Sequence, residues 1–414
     1  MTTPPPVSSP EGNLPARHRR SRIWRTIFVA STAFGVLVLG VLLLNITNNA
    51  FGYSAVEYKQ PPETLTTGGA ALDTLTSEQL LVILQENLTK NRIKTLEKEQ
   101  PLAERSQEEL VTLTYETVVQ PDVVATWGLF ASLLQADAIR AEVAQDYPDA
   151  RLEFMAWLDR HFLSSPQASQ ALYAGVRTAI LGSLYVILIT TLVAFPIGIG
   201  AAIYLQEYAA DTRLNRLIQT NINNLAGVPS IIYGMLGLTI FVRLASQVTS
   251  GALFGYPDAD PNNGRTILSA GLTMALLILP VIIINAQEAI KAVPGSLREA
   301  SYGVGATRWQ TIWSHVLPNA MAGILTGTIL AVSRAFGETA PLVIVGAATY
   351  ITFDPDGVFS KFTTLPIQIY QWTSRPQDEF RSIAAAAILT LLAILLAVNA
   401  VAILLRNHYS RRLS

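Results

Sequence analysis

The sequence predicts an all-α, polytopic membrane protein with six transmembrane helices and a mostly helical extracytoplasmic insert. Three observations carry that expectation. Half of the 414 residues are hydrophobic and only 14% are charged, against about a quarter in soluble domains, and the mean hydropathy is +0.35. Six apolar stretches are each long enough to cross a hydrocarbon core of about 30 Å. Residues 50–170 differ from the rest, with 18 acidic and 9 basic side chains. Composition also removes several function classes. The chain has no cysteine, so disulfide scaffolds, thiolate zinc sites and thiol nucleophiles are excluded. Its four histidines (His18, His161, His315, His408) are far apart and show no metal-ligand spacing. A net charge of −1 gives no basic field for nucleic acid. No GxxxxGK[ST] loop is present, so if ATP drives this protein, another chain binds it with its magnesium.

Residues 1–24 read as a disordered tail: Met1–Gly12 is rich in Pro, Ser and Thr, and Arg17, Arg19, Arg20, Arg22 and Arg25 follow. The first transmembrane helix falls at 25–49. A basic stretch before an apolar run also fits a signal peptide. However, Ile27–Ile46 is longer than the roughly 7–15 residues of a signal core, which favours a retained span. Further spans are expected near Val176–Tyr204, Ala226–Ala245, Thr266–Ala289, Ala320–Val345 and Ile383–Leu405, within 171–405. Pro196, Pro229 and Pro341 mark helix kinks, because proline removes a donor and crowds the preceding turn. Gly323 and Gly327 allow close helix approach.

Six spans put both termini on one side. The N-tail, the 206–225 and 288–318 loops and the tail 406–414 hold 13 Lys/Arg against 5 Asp/Glu. That asymmetry makes both termini cytoplasmic, with Asp258, Asp260, Asp354 and Asp356 in outer loops. Within the insert, helical spacing predicts a helix opening at Ser77 with Leu80, Leu81, Leu84 and Leu88 on one face, then helices over Val123–Ala144 and Ala150–Phe162. In the 206–225 loop, Glu207 and Asp211 beside Arg213 and Arg216 read as a solvated face.

Two motifs carry chemistry. Between the fourth and fifth spans the chain reads Arg298-Glu299-Ala300-Ser301, then Gly305-Ala306 and, after His315, Leu317-Pro318. Pro294 and Gly295 interrupt the fourth span, a short helix over Arg298–Ala306 follows, and Gly305 ends it, since glycine tolerates positive φ at helix termini. Trp309, Ile312 and Trp313 are expected at the membrane interface. In the fifth span, Ser333-Arg334-Ala-Phe-Gly-Glu338-Thr339-Ala340-Pro341 places Arg334 and Glu338 one helical turn apart, on one face near mid-span. A central arginine costs about 2.5–3.5 kcal/mol to insert, so such a charge marks an aqueous path more often than simple helix packing. Guanidinium matches an oxyanion's geometry at any physiological pH. Glu338 can accept from a protonated oxyanion, or it holds Arg334 in place. Arg177 and Arg243, near the outer span ends, are candidates for a pore entrance, although snorkelling to the interface is the plainer reading.

The 288–318 loop closely resembles the EAA loop of ABC importer permeases, with Ser301 in place of the second alanine and His315 where isoleucine is usual. The run from Arg334 to Leu342 resembles the PstA family of phosphate ABC transporter permeases, as does Gly227-Val-Pro229-Ser230 through Gly234 in the third span. The likeness covers roughly residues 171–405. The resemblance implies a type I importer core without catalytic residues of its own. Arg334, Glu338, Thr339 and Ser333 would line the substrate path, and Arg298, Glu299, Ala300, Gly305 and Ala306 would contact the ATPase. It further implies a second permease resembling PstC, an ATPase dimer resembling PstB, and an extracytoplasmic phosphate-binding protein resembling PstS. Three other readings are a permease for sulfate, molybdate or a phosphonate, a membrane sensor, and an intramembrane enzyme using Glu338. The sensor lacks an output domain in the short tail after Arg406. The enzyme lacks a second carboxylate in the spans.

Overall fold

Apolar runs flanked by polar breaks give long helices, and the computed structural model shows where each begins and ends. It describes residues 14–66, 71–99, 101–256, 263–347 and 350–411. The expectations for Met1–Gly12, Asp258, Asp260 and Arg412 lie outside the described residues. Five helices are long and apolar enough to span: Arg17–Ala50, Arg177–Tyr208, Ile267–Lys291, Arg308–Phe336 and Asp378–Asn407. The sixth is a bent pair, Arg213–Leu225 and Ser230–Leu244, meeting at 107°. The first helix begins at Leu14, so the arginines from Arg17 to Arg25 are helical rather than part of a loose tail.

The fourth span is the centre of the bundle. Two-thirds of its most apolar window is buried, against none for the first span and 6% for the last, which lie on the outside of the bundle. Met274, Ile278 and Ile282 on the fourth span pack with Val186 of the second, Tyr233 and Val242 of the third, and Ala335 of the fifth. Small residues permit that closeness. A Cβ on Gly237 would lie 2.8 Å from the Cβ of Thr273, and one on Gly271 2.7 Å from that of Ile189. Pro196 lies inside the continuous helix Arg177–Ile203. The bent pair turns at Pro229, which caps its second half. Arg213–Leu225, expected as loop, is a helix capped by the Thr212 side chain on the Asn215 N–H (3.2 Å).

The insert is mostly helical, as expected, but it adds a sheet that the sequence reading did not foresee. It holds a three-stranded antiparallel sheet in the order β2-β1-β3, where β1 is Phe51–Tyr58, β2 Pro121–Thr126 and β3 Arg151–Ala156. β1 pairs through Val56↔Val123 and Tyr53↔Phe154, and it follows the first span with no linker. Val123 and Val124 are β-branched, and Leu152, Phe154 and Ala156 alternate with Arg151, Glu153 and Met155. That period-2 signal can also be read at helical spacing in a short run. The first helix is as expected, Ser77–Asn87, with Thr76 and Gln79 forming a capping box and Leu80, Ile83 and Leu84 buried. The insert rests on the outer end of the bundle: Gln167 bonds Gln371 (3.0 Å), and the Ser164 carbonyl accepts from Arg177 at the start of the second span (2.7 Å).

Candidate functional site

Arg334 and Glu338 sit where the fifth span breaks. Pro341 has no N–H for the carbonyl of Gly337, and its ring crowds that turn. The helix ends at Phe336, and its last turn tightens as the N–H of Gly337 donates to Arg334 and that of Glu338 to Ala335, each at 3.2 Å. A short half-helix, Ala340–Val345, resumes and stops at Gly346 with φ 108°. The span expected over Ala320–Val345 is thus interrupted beside Pro341, where a kink was expected. The two side chains do not share a helix face; they meet across a helix end, Arg334 Nε to Glu338 Oε1 at 3.4 Å.

Depth follows from helix pairing. The fifth span runs antiparallel to the fourth, with Gly323 against Ala289 and Gly327 against Asn285. Two further turns bring Arg334 level with Ile278, near the middle of Ile267–Lys291. There the Arg334 side chain is 52% exposed and that of Glu338 19%. A guanidinium left half open at that depth is not sealed by its own chain. Facing lipid would cost about 2.5–3.5 kcal/mol, so the open flank calls for a polar cover. Beside it, Gly234 fits against the half-helix: a Cβ there would lie 2.7 Å from the Pro341 Cα. The Tyr233 hydroxyl donates to the Leu225 carbonyl (2.7 Å), fixing the bend at Pro229. Thr339 lies half-buried in the gap, and its carbonyl accepts from Val343 (3.1 Å). Ser333, half-buried, donates its hydroxyl to Asn399 Oδ1 on the last span (2.6 Å), so it also joins the fifth and last spans.

Of the two outer arginines, Arg177 is bound on both sides, to Asp354 and to the Ser164 carbonyl (2.7 Å), which makes it a tether between insert and bundle rather than an open entrance. Arg243 is exposed in the last turn of the third span.

At the opposite pole a short helix, Gly295–Gly303, follows the fourth span and is called here the loop helix. Its end forms a Schellman motif: Ala306 N–H donates to Ser301 (3.1 Å) and Gly305 N–H to Tyr302 (2.9 Å), with Gly305 at φ 85°. Glu299, Ala300, Tyr302, Val304 and Gly305 face outward, and Val304 is 86% exposed. Ala306 is half-buried. Ser301 is buried and bonds Thr311 at 2.8 Å, which accounts for a hydroxyl at that motif position. Trp309 and Trp313 stack at 5.6 Å in the open, whereas Ile312 is buried rather than interfacial. Arg298, expected among the outward contacts, points inward to Glu207 (2.7 Å), and Glu207 is therefore not part of a solvated face. Asp211 and Arg216 are. The Glu207 partnership was missed because the two residues are 91 positions apart; a lone carboxylate in the last apolar turn of a span was the available signal.

A half-open charge in a broken span and an exposed loop helix at one pole are the features the family match accounts for. The chain belongs to the family of binding-protein-dependent transport system inner membrane components, whose pattern matches residues 194–414. It is a multi-pass inner-membrane subunit. It is similar to the phosphate transport system permease protein PstA 1 of Mycobacterium tuberculosis, 33% identical over 240 residues, covering 58% of this chain and 72% of that one. It is also similar to the probable ABC transporter permease protein YqgI of Bacillus subtilis (32% identity; 52% of this chain, 67% of the relative). The phosphate transport system permease protein PstC of Pasteurella multocida is 35% identical, covering 46% of this chain and 62% of that protein. Among solved structures, an inward-facing MetNI methionine ABC transporter aligns with a TM-score of 0.44 at 16% identity, covering 56% of this chain and 95% of its own.

Proposed function

We propose that this chain is the PstA-type permease of an ATP-driven phosphate importer, forming half of the path for inorganic phosphate. The observation that carries the reading is the Arg334–Glu338 pair at mid-depth, open on the flank of the bundle. A second permease of the PstC kind would close that flank and turn it into a conduit. The guanidinium offers a fork of donors to phosphate oxygens, and Glu338 offers an acceptor to the P–OH that phosphate keeps near neutral pH and sulfate lacks. Similarity to both PstA and PstC proteins supports a heterodimeric pair; the Ala340-Pro341-Leu342 run favours the PstA half. The loop helix would face the cytoplasm, as the positive charge of its side favours, and Glu299, Ala300 and Gly305 would meet an ATPase dimer there. An extracytoplasmic binding protein would deliver phosphate at the insert side. The nucleotide and its magnesium would sit on the ATPase, and this chain performs no covalent chemistry.

Labelled-phosphate uptake by cells carrying the whole complex tests the assignment. Arg334→Gln should lower uptake by about tenfold or more, the loss of charge-assisted hydrogen bonds, while all subunits still co-purify. Unlabelled sulfate should not compete in wild type. Normal uptake by the Arg334→Gln cells, or equal competition by sulfate, overturns the phosphate reading.

A further inference from the structure

We infer that Arg298 and Glu207 form an internal clasp that makes the loop helix, the second span and the fourth span move as one body, so that Arg298 is a positioning residue for transport and not an ATPase contact. Every nitrogen of the guanidinium is used. Nε and Nη2 donate to Glu207 Oε1 at 3.1 and 2.7 Å, Nη2 also to the Ile290 carbonyl at 3.0 Å, and Nη1 to the Val293 carbonyl at 2.8 Å. The side chains are only 19% and 8% exposed. Ile290 belongs to the last turn of the fourth span, and its carbonyl, which also accepts from the Val293 N–H (3.2 Å), takes a second donor from the arginine at the helix end. Glu207 comes from the π-helical turn Tyr204–Tyr208 that ends the second span, where the widened backbone re-aims a side chain. One residue of the loop helix thus grips the ends of two spans.

Without this grip, the loop helix would be held by the Val293–Pro294 link to the fourth span and by the Ser301–Thr311 bond to the start of the fifth, with no side chain tying it to the second span. A push on its outer face would then tilt the helix instead of moving the bundle. The second span packs along the fourth, so a rigid corner passes the displacement to both.

The inference rests on the transporter family but not on phosphate, and the test separates the two. The complete complex is reconstituted with Ala340→Cys in this otherwise cysteine-free chain, and labelling by a maleimide is compared with and without ATP and vanadate. Hydrolysis and phosphate uptake are measured alongside. Arg298→Glu and Glu207→Arg should each retain the ATPase subunit and most basal hydrolysis. Each should lose the nucleotide-dependent labelling change and lower uptake per ATP at least tenfold, and the double exchange, which restores the ion pair but leaves a carboxylate beside the Ile290 and Val293 carbonyls, should recover only part of both. Arg298→Lys should behave like the single reversals, since an ammonium cannot reach Glu207 and both carbonyls together. If the single variants couple normally, the clasp is only static glue. If they release the ATPase subunit, Arg298 acts at the docking surface. If the double exchange fails to recover labelling, the pairing is not what matters. Each of these outcomes overturns the inference. Absence of phosphate uptake in wild type, with labelling intact, would instead sink the phosphate reading alone.

Discussion

Gly305 shows how a single backbone angle can hold a working surface. Its φ of 85° is one that side-chain-bearing residues adopt at a cost, and a Cβ there would meet nothing within 4 Å. A substitution therefore tests conformation without a clash. Gly305→Ala should destabilise the loop helix by about 1–2 kcal/mol, seen as a lower melting temperature of the purified complex, whereas Gly305→Asn should lose less because asparagine tolerates the left-handed region. This position was readable from sequence, since the motif spacing and the glycine both point to a helix end. Arg334 and Glu338 were readable as a pair near mid-span, but not as a pair across a break. Four-residue spacing suggests a shared face; Pro341 marked a kink, but not that the helix ends at Phe336, ahead of Glu338. Ser333 and Arg298 were legible as polar residues in motifs; the direction each side chain takes depends on Asn399 and Glu207, which lie 66 and 91 positions away.

Among the elements, the long helices matched their apolar runs, because twenty apolar residues leave the backbone few ways to satisfy itself in lipid. The third span did not. Pro229 follows an amphipathic helix, and the chain turns by 107° before it enters the bundle. The insert strands were hidden for a different cause: Val123–Thr126 and Leu152–Ala156 are too short for one period to win over another, and pairing with β1 settles them. Close crossings between spans depend on residues with no side chain. Gly237→Val should force the third span away from Thr273 and lower the melting temperature, at a cost of about 1–3 kcal/mol from overpacking, while Gly200→Val, where a Cβ meets nothing within 4 Å, should be tolerated.

For the whole molecule, the insert and the bundle form a joined unit, and one buried acid in the seam reports on it. Burial raises the Glu116 carboxyl above its usual range, partly offset by a backbone hydrogen bond at Ser169. A raised value means that stability is full where both states are protonated, below about pH 4, and is lost as pH rises through the folded value. Glu116→Gln should therefore raise the melting temperature at pH 7 to 8 and leave it unchanged near pH 4, a difference that thermal unfolding at the two pH values can measure. An effect of equal size at both would place the cause in packing instead of charge.

The first span runs into β1 at Ala50–Phe51 without an intervening loop, and Trp157, Phe162 and Gln167 of the insert pack against Trp372 and Gln371 of the bundle. A body rooted in a span and packed on its neighbours cannot swing freely on a leash. It behaves as a lintel above the doorway, so any carrier that alights on it from outside meets a platform whose bearing already tracks the posture of the helices beneath.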